Sequence, residues 1–199
     1  NLVVIDGLKK ESAVNALLET HDKENWIGTW GNGLLFYDAR FERINGNPYA
    51  GISKADFESY AKVWDLCQHS TSGHVWAASQ GGTLAVFDPD TKRALHWLRP
   101  PAFKGSTVRQ VKEGKNGDLW FGTQGGHLVR RKSNDSVSNA SFKLLHNFNT
   151  IIYKLYFDRQ GRLWVGTHKQ GVYVIEPDSG TILFHFDKEF SDRFSVPDN

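Results

Sequence analysis

Four copies of a short tryptophan-containing segment recur along this 199-residue chain. The copies are Asn25–Thr29, Val75–Ser79, Leu119–Thr123 and Leu163–Thr167. Their tryptophans, at positions 26, 76, 120 and 164, are 50, 44 and 44 residues apart. A period of this length is that of one β-propeller blade, and the apolar spacing of three and four residues that a helical repeat needs is missing. The repeat therefore predicts tandem propeller blades, which more often form a recognition surface than a catalytic centre.

Each copy lies within a unit that predicts four short strands joined by turns. A turn rich in Asp, Asn, Ser and Gly separates the first strand from the tryptophan strand, and a glycine-containing turn follows the tryptophan strand. The tryptophan strands are almost continuously apolar, which indicates a sheet covered on both faces, so we expect all four tryptophans in the core. The predicted fold is all-β, a propeller segment of about four antiparallel four-stranded blades at residues 14–44, 63–98, 108–146 and 152–187.

Residues 45–62 and the two chain ends depart from the repeat. Residues 45–62 are predicted to form an inserted loop, in which Ser53 can cap a short helix with Asp56 in its first turn. Residues 2–6 resemble the third strand of a blade, and residues 195–199 stop where another first strand should begin. Because the chain also has no methionine at position 1, we expect it to be cut from a larger propeller.

The composition argues against several classes of function. With 24 basic and 22 acidic residues the net charge is +2, and no basic stripe is present, so we expect no nucleic-acid binding. No apolar run approaches the roughly 18 residues of a membrane-spanning helix. The single cysteine, Cys67, cannot form an internal disulfide, and its apolar strand pattern favours a buried and unreactive thiol.

No motif for catalysis or for metal binding is recognisable. The eight histidines include no His-x-x-x-His pair, and the chain has no Cys-x-x-Cys pair, phosphate loop or nucleotide-binding fingerprint. The turn at residues 158–161 lacks the alternating Asp and Asn residues of a calcium loop. We therefore expect no catalytic residue, no cofactor and no metal site in this chain.

The repeats resemble those of the two-component regulator propeller family. Residues 158–171, with Leu-Trp-Val-Gly-Thr at Leu163–Thr167, are the closest copy, whereas the second unit replaces Ile-Gly-Thr by Ala77, Ala78 and Ser79. The resemblance implies a non-catalytic segment of a periplasmic sensor, in a hybrid two-component histidine kinase. It implies an oligosaccharide or another small ligand, contacts with further blades of the same protein, and a homodimer of the parent protein. The membrane is then reached only through the parent's transmembrane helix.

Six residues are candidates for binding such a ligand. In an antiparallel blade, the loop after the tryptophan strand lies on the same face as the entrance to the first strand. Aromatic rings can stack on the C–H faces of sugars, while polar and cationic groups fix their hydroxyls. The candidates are Trp30, His168 and Lys169 in the loops, and Trp64, Arg109 and Tyr153 at the strand entrances, where Asn15 takes the fourth equivalent position.

Other interpretations of these residues and of the chain remain open. Trp64 and Tyr153 can serve to pack neighbouring blades together, and Arg109 can bridge to a neighbouring loop. The chain as a whole can be a propeller scaffold for a protein partner, or a propeller lyase or glycosidase, rather than a ligand sensor. A contiguous apolar patch on one face without a pocket would favour the scaffold, and turnover of a glycan would favour the enzyme.

Overall fold

The computed structural model describes residues 12–187, which form four antiparallel sheets of four strands each. Within each sheet the strands follow one another in chain order, as in a meander. Blade 1 contains β1 (Val14–Glu19), β2 (Asn25–Thr29), β3 (Leu34–Tyr37) and β4 (Arg43–Ile44). Blade 2 contains β5 (Val63–Gln68), β6 (Val75–Ser79), β7 (Leu84–Phe87) and β8 (Ala94–Leu98).

The second half of the chain repeats the same arrangement. Blade 3 contains β9 (Val108–Glu113), β10 (Leu119–Thr123), β11 (His127–Arg131) and β12 (Phe142–Asn147). Blade 4 contains β13 (Ile152–Phe157), β14 (Leu163–Thr167), β15 (Val172–Ile175) and β16 (Ile182–Phe186). The first strands β1, β5, β9 and β13 contact one another in turn and form the inner edge of the array. The predicted all-β propeller segment of four blades is confirmed.

The core lies between successive blades rather than inside any one of them. One apolar cluster joins blades 1 and 2, a second joins blades 2 and 3, and a third joins blades 3 and 4. Trp26, Trp76 and Trp120 point into these three clusters and are 0%, 2% and 1% exposed. Blades 2 and 3 therefore bury both faces of their central strands, each face against a different neighbouring blade.

The prediction that all four tryptophans are core residues is wrong for Trp164. This side chain is half-buried, its ring stacks on Phe186 at 6.0 Å, and its indole nitrogen donates to Asp158 at 2.9 Å. The equivalent tryptophans of blades 1 to 3 face a following blade, whereas residues 12–187 provide none after blade 4. The repeat motif fixes the position of the tryptophan, but its burial depends on the neighbouring blade.

Glycines in the tryptophan strands allow the blades to approach closely. A Cβ atom at Gly28 would lie 2.6 Å from Cγ1 of Val63 in blade 2, and one at Gly122 would lie 2.6 Å from Cγ2 of Ile152 in blade 4. Both distances are far below van der Waals contact. At Gly28 and Gly122 the absence of a side chain is therefore a packing requirement between blades.

The segment at residues 45–62 contains one helix, α1 (Lys54–Tyr60). The Ser53 hydroxyl accepts a hydrogen bond from the Asp56 amide at 3.1 Å, as an N-cap does. The Tyr60 hydroxyl donates to the Leu98 carbonyl at 3.1 Å, and its ring lies 4.8 Å from that of Trp97. These contacts fasten α1 to the outer strand of blade 2, close to the inner strand β5 that follows.

Candidate functional site

Each inner strand carries a β-bulge at the same position. The pairing of β5 with β6 shifts between Val63 and Asp65, which leaves Trp64 as the extra residue. The corresponding residues of the other three blades are Asn15, Arg109 and Tyr153. A bulge turns one side chain away from the regular alternation of the strand. The bulges thus present four non-equivalent side chains at one end of the inner edge.

Three of these bulge residues and two loop residues form a continuous row, here named the inner ladder. The Trp30 and Trp64 ring centroids are 5.2 Å apart at an interplanar angle of 85°. The guanidinium carbon of Arg109 lies 4.1 Å from the Trp64 centroid and 5.4 Å from the Tyr153 centroid. The Tyr153 and His168 rings are 5.4 Å apart at 85°. The inner ladder therefore crosses all four blades.

The structure brings together five of the six predicted ligand-binding residues. The sixth, Lys169, follows His168 in the chain and is exposed. Within residues 12–187, its side chain takes part in no hydrogen bond, ion pair or ring contact. Asn15 also stands apart, because its side-chain amide donates to the Val63 carbonyl at 3.1 Å and so braces blade 1 against blade 2.

Lys62 belongs beside the inner ladder, although the sequence did not single it out. Its ammonium group lies 5.4 Å from the Trp30 centroid, and its backbone forms an isolated antiparallel bridge with that of Trp30. The residue lies at the end of the inserted segment, directly before β5. Its position two residues before the bulge at Trp64 is the only sequence signal that could have identified it.

The ladder side chains are packed against one another and still partly accessible. Trp30 is 37% exposed and Tyr153 is 45% exposed, while Trp64 and Arg109 are half-buried. Arg109 contacts the rings of the two adjacent blades rather than a neighbouring loop. The packing interpretation therefore describes Trp64 and Arg109 in part, whereas parts of the Trp30 and Tyr153 rings remain exposed to solvent.

Polar side chains directly after the bulges hold the inner strands in place. The Asp65 carboxylate accepts hydrogen bonds from the Val111 amide in blade 3 and from the Leu66 amide, both at 3.0 Å. Burial raises the pKa of Asp65, although Lys112 at 3.4 Å opposes that change. At the equivalent position in blade 3, the Gln110 side chain accepts from the Leu155 amide of blade 4 at 3.4 Å. The inner strands that carry the ladder residues are thus held together by hydrogen bonds between blades.

Three cavities lie away from the inner ladder. One of about 140 Å³ lies at the opposite end of the strands, where Arg130 pairs with Asp118 and donates to the Pro177 carbonyl at 2.7 Å. Another, of about 450 Å³, lies on the face of blade 1 that points away from blade 2 and includes Leu17 and Phe41 in its lining. The Arg130 guanidinium of the first cavity is already paired, and the second cavity is mainly apolar. A third, of about 210 Å³, shares Arg130 and Asp178 with the first.

Three further findings bear on the predictions made from the sequence. No group of three His, Cys, Asp or Glu side chains in residues 12–187 could hold a metal ion. No helix in the same range is long and apolar enough to cross a membrane. Burial raises the pKa of the Cys67 thiol to about 11, so the thiolate is scarce at neutral pH.

Residues 147–169 match the family model of the two component regulator propeller. The matched residues contain β13 and β14 and three of the six candidate site residues, namely Tyr153, His168 and Lys169. The family resemblance seen in the repeat of residues 158–171 is therefore confirmed.

The curated relatives are distant and much longer than this chain. "Histidine kinase P4" of Formosa agariphila is 28% identical over 110 residues, which are 52% of this chain and 7% of the kinase. A catalase of Staphylococcus saprophyticus is 26% identical over 160 residues, which are 78% of this chain and 31% of the catalase. Because these two relatives differ in activity, sequence identity at this level selects neither function.

Solved structures support the fold. The extracellular domain of a one component system of B. thetaiotaomicron superimposes with a TM-score of 0.71 at 19% identity, over 94% of this chain and 24% of that domain. The extracellular domain of a hybrid two component system of the same species gives 0.68 at 18% identity, over 92% of this chain and 23% of that domain. The chain thus spans about a quarter of each. It is a segment of four β-propeller blades, in which residues 147–169 match the two component regulator propeller model.

Proposed function

We propose that this chain is the ligand-binding part of an extracytoplasmic sensor in a two-component system, and that it recognises an oligosaccharide at the inner ladder. The family repeat at residues 147–169 and the likeness to extracellular sensor domains support the class of protein. The segment itself is proposed to be non-catalytic and periplasmic. We assign the kinase activity and the transmembrane helix to the parent protein, which is proposed to form a homodimer.

The inner ladder is the observation that carries this proposal. Partly exposed aromatic rings offer flat apolar surface to the C–H faces of a sugar, and adjacent polar groups can fix its hydroxyls. Trp30 and Tyr153 supply such surface at 37% and 45% exposure, with Arg109 between the rings of Trp64 and Tyr153. A row of aromatic rings and one guanidinium across four blades matches an extended ligand better than a single small molecule.

Signalling is proposed to proceed by a shift between two arrangements of the sensor. A ligand can shift such an equilibrium only if it binds one arrangement more tightly than the other. The inner ladder contains side chains from all four blades, so a ligand bound along it contacts several blades at once. The affinity of the ligand would therefore depend on the relative placement of those blades. This dependence supplies the difference in affinity between the two arrangements that signalling requires.

A thermal-shift screen of the complete ectodomain against plant and host oligosaccharides tests this proposal. A ligand at one hundred times its Kd stabilises the folded state by about 2.7 kcal/mol, which is a readily measured rise in Tm. We expect a stabilising saccharide whose effect is lost in Trp64→Ala and Tyr153→Ala. Tyr156→Ala is the matched control, because Tyr156 is a 58% exposed tyrosine on the same strand, outside the inner ladder.

Three outcomes separate the possible functions. Loss of the shift in the two ladder variants alone supports the proposed site. An equal shift in all variants would move the ligand site away from the inner ladder. If no saccharide shifts the Tm, the protein scaffold becomes the better hypothesis, and the apolar surface with Leu17 and Phe41, which are 74% and 56% exposed, is where a partner would bind.

A further inference from the structure

Arg109 differs from the other arginines with limited solvent access. Four arginines in residues 12–187 are buried or half-buried, namely Arg109, Arg130, Arg131 and Arg162. Arg130 and Arg162 each pair with an aspartate at 2.7 Å, and Arg131 donates to the Asp135 carbonyl. Within the same residues, the guanidinium of Arg109 has neither a hydrogen bond nor an ion pair. Its donors are therefore available to a ligand.

The contacts of Arg109 leave a defined part of its guanidinium unoccupied. The two aromatic rings, at 4.1 Å and 5.4 Å, hold the group by cation–π attraction. A guanidinium carries five N–H donors in its own plane, and their fork matches the two oxygens of a carboxylate or of a sulfate. Among residues 12–187 the in-plane N–H donors of Arg109 have no oxygen partner, so they are available to bind an anion.

The surroundings favour negative charge as well. None of the inner-ladder residues is acidic, and Lys62 adds a second cation at 5.4 Å from Trp30. The nearest carboxylate along the chain, at Asp65, is already hydrogen-bonded to the amides of Leu66 and Val111. Positive charge without a compensating acid attracts anionic ligands and rejects cationic ones.

We infer that the inner ladder binds an acidic oligosaccharide, with a carboxylate or sulfate substituent held in the plane of the Arg109 guanidinium and sugar rings resting on Trp30 and Tyr153. This inference rests on the proposed function and names its ligand class. The rings supply affinity for any saccharide of suitable shape, and Arg109 supplies the selection for charge.

Calorimetric titration of the complete ectodomain with matched charged and neutral sugars tests this assignment. The first pair is an oligogalacturonide and its methyl ester, which differ in charge and share the same rings. The second pair is a carrageenan oligosaccharide, whose charge comes from sulfate alone, and its neutral desulfated form, so that the two pairs separate sulfate from carboxylate as the group that is bound. We expect at least one charged member to bind about tenfold or more tightly than its partner, with a preference that weakens as salt is added.

Substitution of Arg109 assigns the charge preference to a residue. Arg109→Gln should abolish the difference between the paired sugars while retaining binding of the neutral member. Arg109→Lys should retain part of this difference, because lysine keeps the positive charge but lacks the forked pair of N–H donors. Arg93→Gln is the control, because Arg93 is an exposed arginine in the turn between β7 and β8, at the opposite end of the strands.

The outcomes distinguish this inference from the proposed function. Equal affinity for charged and neutral sugars, or a salt-independent preference, would overturn the acidic ligand and leave saccharide sensing intact. A preference that survives in Arg109→Gln would assign the charge selection to another residue and overturn the role of Arg109. Absence of binding by every saccharide would overturn both. The salt series needs only the wild-type protein, so a variant that fails to fold does not prevent a decision.

Discussion

Arg109 and Trp64 join neighbouring blades through a contact in which the guanidinium carbon lies 4.1 Å from the ring centroid. Both residues occupy the bulge of their own inner strand, and the same arginine also contacts Tyr153 of the next blade. One cation thus links blades 2, 3 and 4 at the surface where the ligand is proposed to bind. Recognition and the relative placement of blades consequently involve the same side chains.

The first prediction is that Arg109 contributes to stability as well as to binding. Arg109→Met retains much of the apolar stem and removes both cation–π contacts, each worth about 0.5–1 kcal/mol at a partly exposed site. We expect the free energy of unfolding to fall by about 1–2 kcal/mol, measured by urea denaturation with tryptophan fluorescence. Arg93→Met, on an exposed turn, should change it by less than about 0.5 kcal/mol.

A double-mutant cycle isolates the contact with Tyr153. The destabilisation caused by Arg109→Met and that caused by Tyr153→Leu should not add, because both variants lose the same contact. Full additivity of the two effects would mean that the 5.4 Å contact contributes nothing to stability.

The second prediction concerns the glycine of the repeat motif. Gly122→Ala places a Cβ atom 2.6 Å from Cγ2 of Ile152, and such overpacking costs about 1–3 kcal/mol. Gly166→Ala is the matched control in blade 4, where the nearest atom, Cβ of Lys154, is at 3.6 Å. We expect the loss of stability only at Gly122, measured by thermal and urea unfolding. Similar losses at both positions would mean that the glycine serves backbone conformation rather than blade packing.

Much of the fold was predictable because the repeat records it directly. The tryptophan occupies the same position in all four sheets, and a glycine follows it two residues later in three of them, so the blade number follows from their spacing. The burial of Trp164 was not predictable in this way, because it depends on a blade beyond the one that contains it. A local motif specifies strands and turns, whereas burial is decided by neighbours.

The candidate site was predictable in its residue types but not in its geometry. The alternation of loop ends in an antiparallel blade was sufficient to assign Trp30, Arg109 and Tyr153 to one face. The bulges at Trp64, Arg109 and Tyr153 were not foreseen, because a single extra residue in the pairing register leaves no compositional mark. Lys62 was missed for another reason, since it reaches Trp30 from the inserted segment.

The third prediction concerns the reactivity of Cys67. Burial raises the pKa of this thiol to about 11, and the side chain is only partly accessible. We expect a thiol reagent such as Ellman's reagent at pH 8 to modify the folded chain more than tenfold more slowly than the urea-unfolded chain, because the thiolate is the nucleophile. Comparable rates in both states would show that β5 opens readily or that the thiol is less buried than the structure indicates.

The fourth prediction concerns the contribution of the Asp158 carboxylate to the loss of folding stability at acidic pH. Burial alone would raise the pKa of this carboxyl, but hydrogen bonds from Trp164 at 2.9 Å and Arg162 at 2.7 Å outweigh it and lower the pKa to about 2. Because the folded-state pKa lies below the unfolded value of 3.8, the stabilisation is fully present above pH 4 and is lost as the pH falls toward 2. Asp158→Asn should therefore flatten the decline of the urea midpoint between pH 4 and pH 2. Asp90→Asn, at an exposed carboxylate in the turn between β7 and β8, is the control and should leave the decline unchanged. An unaltered slope in Asp158→Asn would contradict the assignment of this acid sensitivity to the Asp158 carboxylate.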